Sequence, residues 1–231
     1  IADDALLAEL TAQSTAFTPD TAADAMAMYQ YTSGTTRQLP EAVKHRHRAV
    51  VTVAIAALYA TGVRPWDHFM CPSSPAWGHG LWHGTLAPLS LGVSIAAYAG
   101  PFDAERLMRA IQDYKITNLS AAATHYRMMK QAGTADEFDF NLQKLTFTGE
   151  AMDGGTADWV NSTFGQHARS IYGSTEVGVI LAGYPGADDF DFKPGSLGKP
   201  VPGVEVAVLR ADGEPTAPDE VGEIHLKRRD G

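Results

Sequence analysis

A run of short hydroxyl side chains around one glycine, TSGTT, lies near the start of the chain. Hydroxyl groups and exposed amides in a turn that follows a strand can surround the oxygens of a polyphosphate, and a glycine allows close backbone approach. A Ser/Thr/Gly turn is also common in ordinary surface loops. The run alone therefore leaves phosphate binding and a plain loop both open. Its members are Thr32, Ser33, Gly34, Thr35 and Thr36.

Two common phosphate-binding loops do not match this part of the sequence. A P-loop has a second glycine and a lysine five and six residues after its first glycine, but Leu39 and Pro40 stand there after Gly34. The stretch GHGLWHG at residues 78–84 is not a dinucleotide-binding loop, since its third glycine comes one residue late. A phosphate site here needs partners elsewhere in the chain.

Histidine and aspartate groups provide weaker candidates for a metal or acid–base site. His79 and His83 are four residues apart and could share a helix face, but the general-base glutamate of an HExxH site and a third ligand are lacking. Asp188, Asp189 and Asp191 fall in a Pro/Gly-rich stretch, where a solvated turn is favoured over a paired-carboxylate site.

Single residues near the proposed loop and the first strands have simpler interpretations. Cys71, between a methionine and a proline at a predicted strand end, is expected to be a small buried hydrophobic residue. The basic cluster at residues 45–48 is expected to begin the helix that follows, where it either shields polyphosphate or is solvated.

Alternation of short apolar runs with stretches of helical period predicts the element order that must position these groups. The fold class is α/β, with a mostly parallel sheet flanked by helices, followed by the start of a small antiparallel β subdomain. Asp103 and Asp153 are the clearest helix N-caps. Strands are predicted at residues 26–31, 68–71, 94–98, 116–120, 144–148 and 168–172, and helices at 46–61, 80–91, 103–114, 124–131 and 153–164.

The composition changes after Tyr184, where Pro, Gly and Asp are frequent and apolar residues show no regular spacing. Beyond this stretch, residues 204–209 and 221–227 read as paired antiparallel strands. The predicted division is an N-terminal helix or tail (1–25), an α/β nucleotide- and acyl-binding subdomain (26–185), a boundary loop (186–203) and the beginning of a truncated β-rich subdomain (204–231).

Five short motifs follow one another in the order found in one superfamily of enzymes. Together they resemble the adenylate-forming (AMP-binding) superfamily of acyl-CoA synthetases, firefly-type luciferases and peptide-synthetase adenylation domains, from about residue 26 to the end of the chain. The motifs are YTSGTT (31–36), GEA (149–151), YGSTE (172–176), PGSLGKPVPG (194–203) and VGEIH (221–225).

The resemblance implies roles in binding ATP and Mg²⁺. The hydroxyl-rich loop would close over the β- and γ-phosphates, and Gly149, Glu150 and Ala151 would line one face of the adenosine. It further implies that Tyr172 stacks on adenine, that Thr175 meets the α-phosphate, and that Glu176 holds Mg²⁺. Thr175 and Glu176 are thus the candidate catalytic residues. Seen without the motif, Tyr172 could be a core aromatic residue and Glu176 a solvated charge.

The chain departs from the family pattern directly after the hydroxyl-rich loop. The family continues with glycine, any residue, proline and lysine, whereas Arg37 and Gln38 replace the glycine here and Glu41 replaces the lysine. Either Arg37 and Lys44 supply the positive charge from new positions, or Arg37 and Glu41 pair with each other across the turn.

The resemblance also implies an acyl pocket at Trp77, Gly173 and Ser174. Acetate-specific members have a bulky tryptophan at the position of Gly173, so a deeper pocket for a medium-chain, branched or aromatic acid is expected. Trp77 resembles the aromatic residue beside the acyl site that shifts when these enzymes change conformation. A core tryptophan at a helix start is the other interpretation.

The implied function is that of an acyl-CoA synthetase, with ATP, coenzyme A and a carboxylic acid as substrates. The carboxylate attacks the α-phosphate of ATP, so that positioning and charge neutralisation do most of the chemistry. A noncatalytic nucleotide-binding relative and an adenylation domain that delivers to a carrier protein remain open. We expect a central fragment of the large N-terminal domain, inactive by itself because the C-terminal lysine of the family is missing.

Composition limits the partners and the compartment. A net charge of −9 and a pI near 5.3 argue against nucleic acid. The single cysteine favours a reducing compartment, and we expect a cytoplasmic protein. The most apolar run, residues 49–63, is shorter than the ~20 residues that a membrane-spanning helix needs. The sequence does not indicate an oligomeric state.

Overall fold

The computed structural model describes residues 4–14, 16, 18–32, 41–187 and 190–227. In chain order the elements are α1 (Asp4–Thr11), β1 (Met26–Thr32), β2 (Glu41–Arg46), α2 (Ala49–Ala60), β3 (His68–Met70), a π-helix (His79–Leu86), α3 (Ala87–Ser90), β4 (Ser94–Ala96), α4 (Ala104–Asp113), β5 (Asn118–Ala122), α5 (Ala123–Ala132), a 3₁₀ turn (Ala135–Glu137), β6 (Lys144–Thr148), α6 (Gly154–Phe164), β7 (Ala168–Ser174), β8 (Gly178–Ala182), β9 (Lys199–Pro200), β10 (Val206–Leu209) and β11 (Glu223–Leu226).

The central sheet has seven strands in the order β4-β3-β5-β6-β7-β8-β9. The first five strands are parallel, and β8 and β9 add to one side in antiparallel pairing. This arrangement confirms the predicted α/β fold with a mostly parallel sheet. Because β3 lies between β4 and β5, the winding direction reverses between β3 and β5. In sheets of this kind ligands bind outside the carboxyl ends of the strands at such a reversal.

The main core lies between the sheet and helices α4, α5 and α6. Helix α4 buries an apolar stripe while its other face is polar, as expected for a helix packed on one side. Helices α2 and α3 pack against other buried residues, Phe69 and Val93 among them. The fully or nearly fully buried side chains of the main core include Leu107, Met108, Ile111, Leu119, Tyr126, Met129, Leu145 and Val160.

The two predicted helix caps are confirmed. A side-chain oxygen of Asp103 accepts a hydrogen bond from the backbone N–H of Arg106 at 2.7 Å. Asp153 does the same for the N–H of Thr156 at 2.9 Å. Each carboxylate thereby satisfies a backbone donor that the helix leaves unpaired.

The predicted strand at residues 26–31 exists, but its assignment to the parallel sheet is wrong. As β1 it pairs only with β2, antiparallel, with Thr32 opposite Glu41. A parallel partner requires a long crossover connection, whereas the chain returns after residues 33–40, which suits a hairpin. The helix predicted from residue 46 begins at Ala49.

The basic cluster at residues 45–48 therefore does not begin the helix as predicted. His45 and Arg46 are the last residues of β2. The guanidinium groups of Arg46 and Arg48 each lie within ion-pair distance of the Asp24 carboxylate, at 3.2 and 3.1 Å. The cluster closes the base of the β1–β2 hairpin.

Two further elements differ from the prediction. Strand β8 was not predicted; its run GVILA follows the YGSTE motif and turns back along β7. The helix predicted at residues 80–91 is a π-helix followed by the short α3. The antiparallel pair predicted near the end of the chain is confirmed as β10 and β11, with Val206 opposite Leu226.

A buried ion pair joins the amino ends of β3 and β6. Lys144 Nζ lies 2.7 Å from an Asp67 carboxylate oxygen, and both side chains are largely or fully buried. The Asp67 carboxylate also accepts hydrogen bonds from the side-chain amide of Asn118, at the start of β5, and from the backbone N–H of Arg64. Three neighbouring strands are thereby fastened at this edge.

Among the described residues, no helix combines the length and apolar character needed to cross a membrane.

Candidate active site

The carboxyl ends of adjacent parallel strands bring two of the predicted motifs to one edge of the sheet. Strand β6 ends at Thr148, directly before the GEA motif, and the YGSTE motif forms the end of β7 and the turn after it. Strands β6 and β7 pair directly, with Phe147 opposite Ser170. GEA and YGSTE therefore lie on neighbouring strands at the carboxyl edge, where the fold predicts a ligand.

The loop after β6 is held to helix α5 through Glu150. Its carboxylate accepts hydrogen bonds from the Thr124 hydroxyl at 2.5 Å and from the Arg127 guanidinium at 3.1 Å. These two contacts, the hydroxyl first, lower the pKa of Glu150, so that the exposed carboxylate is ionised at neutral pH. The contacts fix the flanking Gly149 and Ala151 at the same edge.

The end of β7 has an irregular register at Tyr172 and Gly173. Tyr172 is 39% exposed, so its ring is available to a ligand at the carboxyl edge. A Cβ atom at Gly173 would overlap the carbonyl oxygen of Gly178 on β8. The β7–β8 hairpin thus requires glycine at this position for close backbone approach.

Glu176 lies in the turn between β7 and β8. The Ser174 hydroxyl donates a hydrogen bond to its carboxylate, and this contact is the main cause that lowers the pKa of Glu176. An ionised, solvent-accessible carboxylate beside a half-buried Thr175 is a hard oxygen ligand of the type that Mg²⁺ takes together with substrate phosphates. Glu176 therefore fits the predicted role of a metal ligand. The Ser174 side chain, predicted to line the acyl pocket, is hydrogen-bonded to Glu176.

Only the start of the hydroxyl-rich loop falls within the described structure. Thr32 is the last residue of β1. Ser33, Gly34, Thr35 and Thr36 lie outside the described residues, as do Arg37 and Gln38, and of Glu41 only the backbone pairing with Thr32 is described. Asp188 and Asp189 of the aspartate cluster also lie outside them.

The hairpin that carries this loop is attached to the π-helix. The indole N–H of Trp82 donates a hydrogen bond to the Gln30 side-chain oxygen at 3.1 Å, and the His45 ring meets the Trp82 ring edge-on at 4.9 Å. Gln30 is buried although it lies on a mostly exposed strand. The π-helix starts at the point where the winding of the sheet reverses, so it links the hairpin to the carboxyl edge.

Trp77 precedes the π-helix and is 74% exposed. The alternative interpretation of this residue as a core tryptophan is therefore wrong. Cys71, in contrast, is buried as predicted, and its burial raises the pKa of the thiol to about 11.

A chain of polar side chains at the winding reversal was not predicted. His79 lies between the hydroxyls of Ser73, after β3, and Ser120, in β5, and Ser120 also contacts Thr146 in β6. Burial lowers the pKa of His79 to about 3, so the ring is neutral. The sequence does contain a signal for this chain, since Ser120 and Thr146 are polar residues within strands that are buried on both faces.

A metal site at His79 and His83 finds no support in the described part of the chain, which contains no group of three or more His, Cys, Asp or Glu side chains that could hold an ion. Two surface cavities, of about 430 and 310 Å³, lie away from the carboxyl edge. The first includes Phe138 and Trp159, and the second lies at the amino ends of β6 and β7. Neither contains a residue of the predicted nucleotide or acyl site, and the second includes Asp191 of the aspartate cluster.

Comparisons with known proteins agree with the motif order. A family model described as "AMP-binding enzyme" matches residues 2–230. An uncharacterized acyl–CoA ligase of Bacillus subtilis is 35% identical over 90% of this chain and 39% of its own length. The acetyl-coenzyme A synthetase of the same organism is 28% identical over 87% of this chain and 35% of its own length.

A solved structure shows the same fold. The crystal structure of a Brucella canis acyl-CoA synthetase superimposes with a TM-score of 0.85 at 28% identity, over 96% of this chain and 41% of that one. The chain thus spans about two fifths of the length of the relatives it matches.

Proposed function

Because the chain belongs to the AMP-binding enzyme family, we propose that it contributes the nucleotide- and acyl-binding part of an acyl-CoA ligase. The observation that supports this most directly is the placement of GEA and YGSTE at the carboxyl ends of adjacent strands. The relatives are more than twice as long, so we propose that full activity needs segments outside these 231 residues.

In the proposed site each residue binds or orients ATP. Tyr172 offers its ring face to adenine, and the loop around Glu150 lines the nucleotide from the side of β6. Thr175 donates to the α-phosphate, and Thr32 with the following hydroxyl residues surrounds the outer phosphates. Glu176 would hold Mg²⁺, which when bound neutralises phosphate charge.

The proposed reaction needs no protein nucleophile. A carboxylate oxygen of the acid forms a bond to the α-phosphorus, the bond to the bridging oxygen breaks, and pyrophosphate leaves with the electron pair. The thiol of coenzyme A then attacks the acyl carbonyl and AMP leaves. The residues of this chain hold the reactants in line and stabilise charge, which is the main requirement of such a transfer.

For the acid, we propose a substrate larger than acetate. Gly173 contributes no side chain to the site, and a large residue at this position is incompatible with the present course of the β7–β8 hairpin. An acetate enzyme is nonetheless among the relatives. Acetate must therefore be tested beside medium-chain, branched and aromatic acids.

Carboxylate-dependent exchange of pyrophosphate into ATP tests the proposal, measured on the protein expressed from its complete coding sequence. Exchange is expected with at least one of these acids, followed by thioester formation with free coenzyme A. Glu176→Gln should lower the exchange rate at least about a hundredfold, as for loss of a preorganised electrostatic group. Glu214→Gln, in the turn after β10, is the matched control and should leave the rate unchanged.

The rival functions give different outcomes. Absence of exchange with every acid would leave a noncatalytic nucleotide-binding protein, for which the replacement of the family lysine by Glu41 is the supporting observation. Exchange without transfer to free coenzyme A would instead indicate delivery to a carrier protein.

A further inference from the structure

His79 connects three parallel strands through hydroxyl groups, one after the end of β3 and two in the middle of β5 and β6. Its Nδ1 lies 2.9 Å from the hydroxyl of Ser73, which follows β3, and its Nε2 lies 2.8 Å from the hydroxyl of Ser120 in β5. The Thr146 hydroxyl, in β6, donates to Ser120 at 2.8 Å. Ser120 and Thr146 have no solvent exposure, so water does not compete for these bonds.

With the Thr146 hydroxyl as the donor to Ser120, the hydrogen-bond chain has a direction in which every group finds a partner. Because Ser120 accepts from Thr146, its own hydroxyl proton can be donated to Nε2 of His79. A neutral imidazole has one donor and one acceptor nitrogen, so Nδ1 then donates to Ser73. All polar atoms of the His79 ring are used inside the protein, which leaves none to bind a substrate directly.

The segment between Ser73 and His79 folds tightly against the start of the π-helix. The N–H of Trp77 donates to the carbonyl of Ser74 at 3.0 Å, and the N–H of Leu81 donates to the carbonyl of Trp77 at 2.9 Å. A Cβ atom at Gly80 would overlap the carbonyl oxygens of Ser73 and Ser74. The segment is therefore closed on itself, with His79 as its hydrogen-bonded link to the sheet.

Trp77 is the exposed member of this closed segment. Trp77 is 74% exposed although its backbone takes part in two hydrogen bonds. An aromatic side chain mounted on a fixed backbone can present a large contact area at low entropic cost. The backbone that carries this indole is linked to β5 by the hydrogen bond between His79 and Ser120.

We propose that His79 is a positioning residue that fixes the backbone of the segment carrying Trp77 relative to β5 and β6, and so sets the acyl side of the site relative to the nucleotide loop after β6. This inference rests on the proposed function for its substrate part. The geometric part, in which His79 fastens the Ser73–Gly80 segment, stands independently of any reaction.

Hydrogen–deuterium exchange tests the geometric part without substrate, in the protein expressed from its complete coding sequence. In His79→Ala the amides of Trp77 and Leu81 should exchange about tenfold faster or more, as expected when the hydrogen bonds that close the segment open more often. His79→Met fills the ring volume without the hydrogen bonds and should behave like His79→Ala. His68→Ala, at the amino end of β3, is the control and should leave these amides unchanged.

Conservative variants guard against simple misfolding. Asn can replace Nδ1 and Gln can replace Nε2, so each retains one of the two hydrogen bonds and should give intermediate exchange. Wild-type exchange in His79→Met would show that the ring acts only by filling space and would overturn the proposal.

Steady-state pyrophosphate exchange tests the substrate part. His79→Asn and His79→Gln should each raise the KM for the acid about tenfold while the KM for ATP stays within about twofold. Equal effects on both KM values, or none on the acid, would overturn the positioning role. If the wild-type protein shows no exchange with any acid, the proposed function fails, and the deuterium result still decides whether His79 fastens the segment.

Discussion

The two edges of the parallel sheet use polar residues in opposite ways. At the amino edge Asp67, Asn118 and Lys144 are buried or nearly so. The Lys144 and Asp67 charges pair with each other, and the Asn118 amide donates a hydrogen bond to Asp67. At the carboxyl edge Tyr172 and Glu176 face solvent. The difference indicates that these residues of the amino edge stabilise the sheet, whereas Tyr172 and Glu176 at the carboxyl edge remain accessible to a ligand.

The largest expected effect is on the amino edge. Asp67→Ala leaves the Lys144 ammonium, whose side chain is only 11% exposed, with the Gly62 carbonyl as its remaining partner among the contacts described. An unpaired buried charge of this kind costs about 3–5 kcal/mol. The free energy of unfolding, measured with urea, should fall by that amount.

An exposed ion pair supplies the control for this prediction. Lys227→Ala removes the contact of Lys227 with Glu205, and Lys227 is 69% exposed, so the loss should be within about 1 kcal/mol. Asp67→Ala combined with Lys144→Met should recover part of the stability, because no buried charge then lacks a partner. Equal losses in Asp67→Ala and Lys227→Ala would remove the distinction between the edges.

Acid should destabilise the protein through the buried histidines near the carboxyl edge. Burial lowers the pKa of His79 to about 3 and that of His83 to about 4, against an ordinary value of 6.5. The unfolded chain therefore takes up protons first as the pH falls. The stability is full above pH 6.5 and is lost on the way to pH 4, by up to about 1.4 kcal/mol per pH unit for each histidine.

Urea unfolding at pH 7.5, 6.5 and 5.5 measures this loss. His83→Gln should reduce the slope between pH 6.5 and 5.5, since one of the two neutral rings is gone. His68→Gln, at an exposed position of β3, is the control for the loss of a histidine. A stability that stays constant from pH 7.5 to 5.5 would show that these rings are not kept neutral by burial.

The parallel part of the fold was predictable because each strand is a short apolar run between turns. The bounds of β6 were predicted without error, and those of β3 and β7 within two residues. Strands β2 and β8 were missed because each is the returning strand of a hairpin, which is specified by its partner and its turn. The charged EAVKHR run of β2 shows no apolar alternation of its own.

The candidate site likewise has a part that was predictable from the sequence and a part that was not. The motifs GEA and YGSTE were predictable by resemblance, and the structure places both at one edge. The hydrogen-bond chain through His79 was not predictable from the sequence, because it joins residues that only the pairing of the strands brings together. The resemblance gave Gly173 a role in pocket depth, whereas the hairpin geometry shows a backbone requirement that no local pattern indicates.

A smaller effect is expected from Gly173→Ala at the carboxyl edge. The new methyl group would collide with the Gly178 carbonyl, so the β7–β8 hairpin must shift, at a cost of about 1–3 kcal/mol. Binding of ATP, measured by calorimetry, should weaken more than stability alone explains, because Tyr172 and Glu176 move with the hairpin.

Gly154→Ala is the matched control for this substitution. Gly154 is the first residue of α6, and open space surrounds its Cβ position, so alanine should stabilise the protein by up to about 1 kcal/mol. A Gly173→Ala variant that unfolds and binds ATP like the wild type would show that the hairpin accepts a side chain there.

The smallest expected effect separates a structural carboxylate at the carboxyl edge from the proposed functional one. Asp103 caps α4 through the N–H of Arg106, so Asp103→Ala should lower the free energy of unfolding by about 1 kcal/mol. Asp103→Asn keeps an oxygen acceptor and should lose only a few tenths. ATP affinity should be unchanged in both variants, in contrast to Glu176→Gln, since the Asp103 side chain serves the helix. Weaker ATP binding in Asp103→Asn at unchanged stability would show that this carboxylate also contributes to ligand binding. It would then contradict the assignment of Asp103 to a purely structural role.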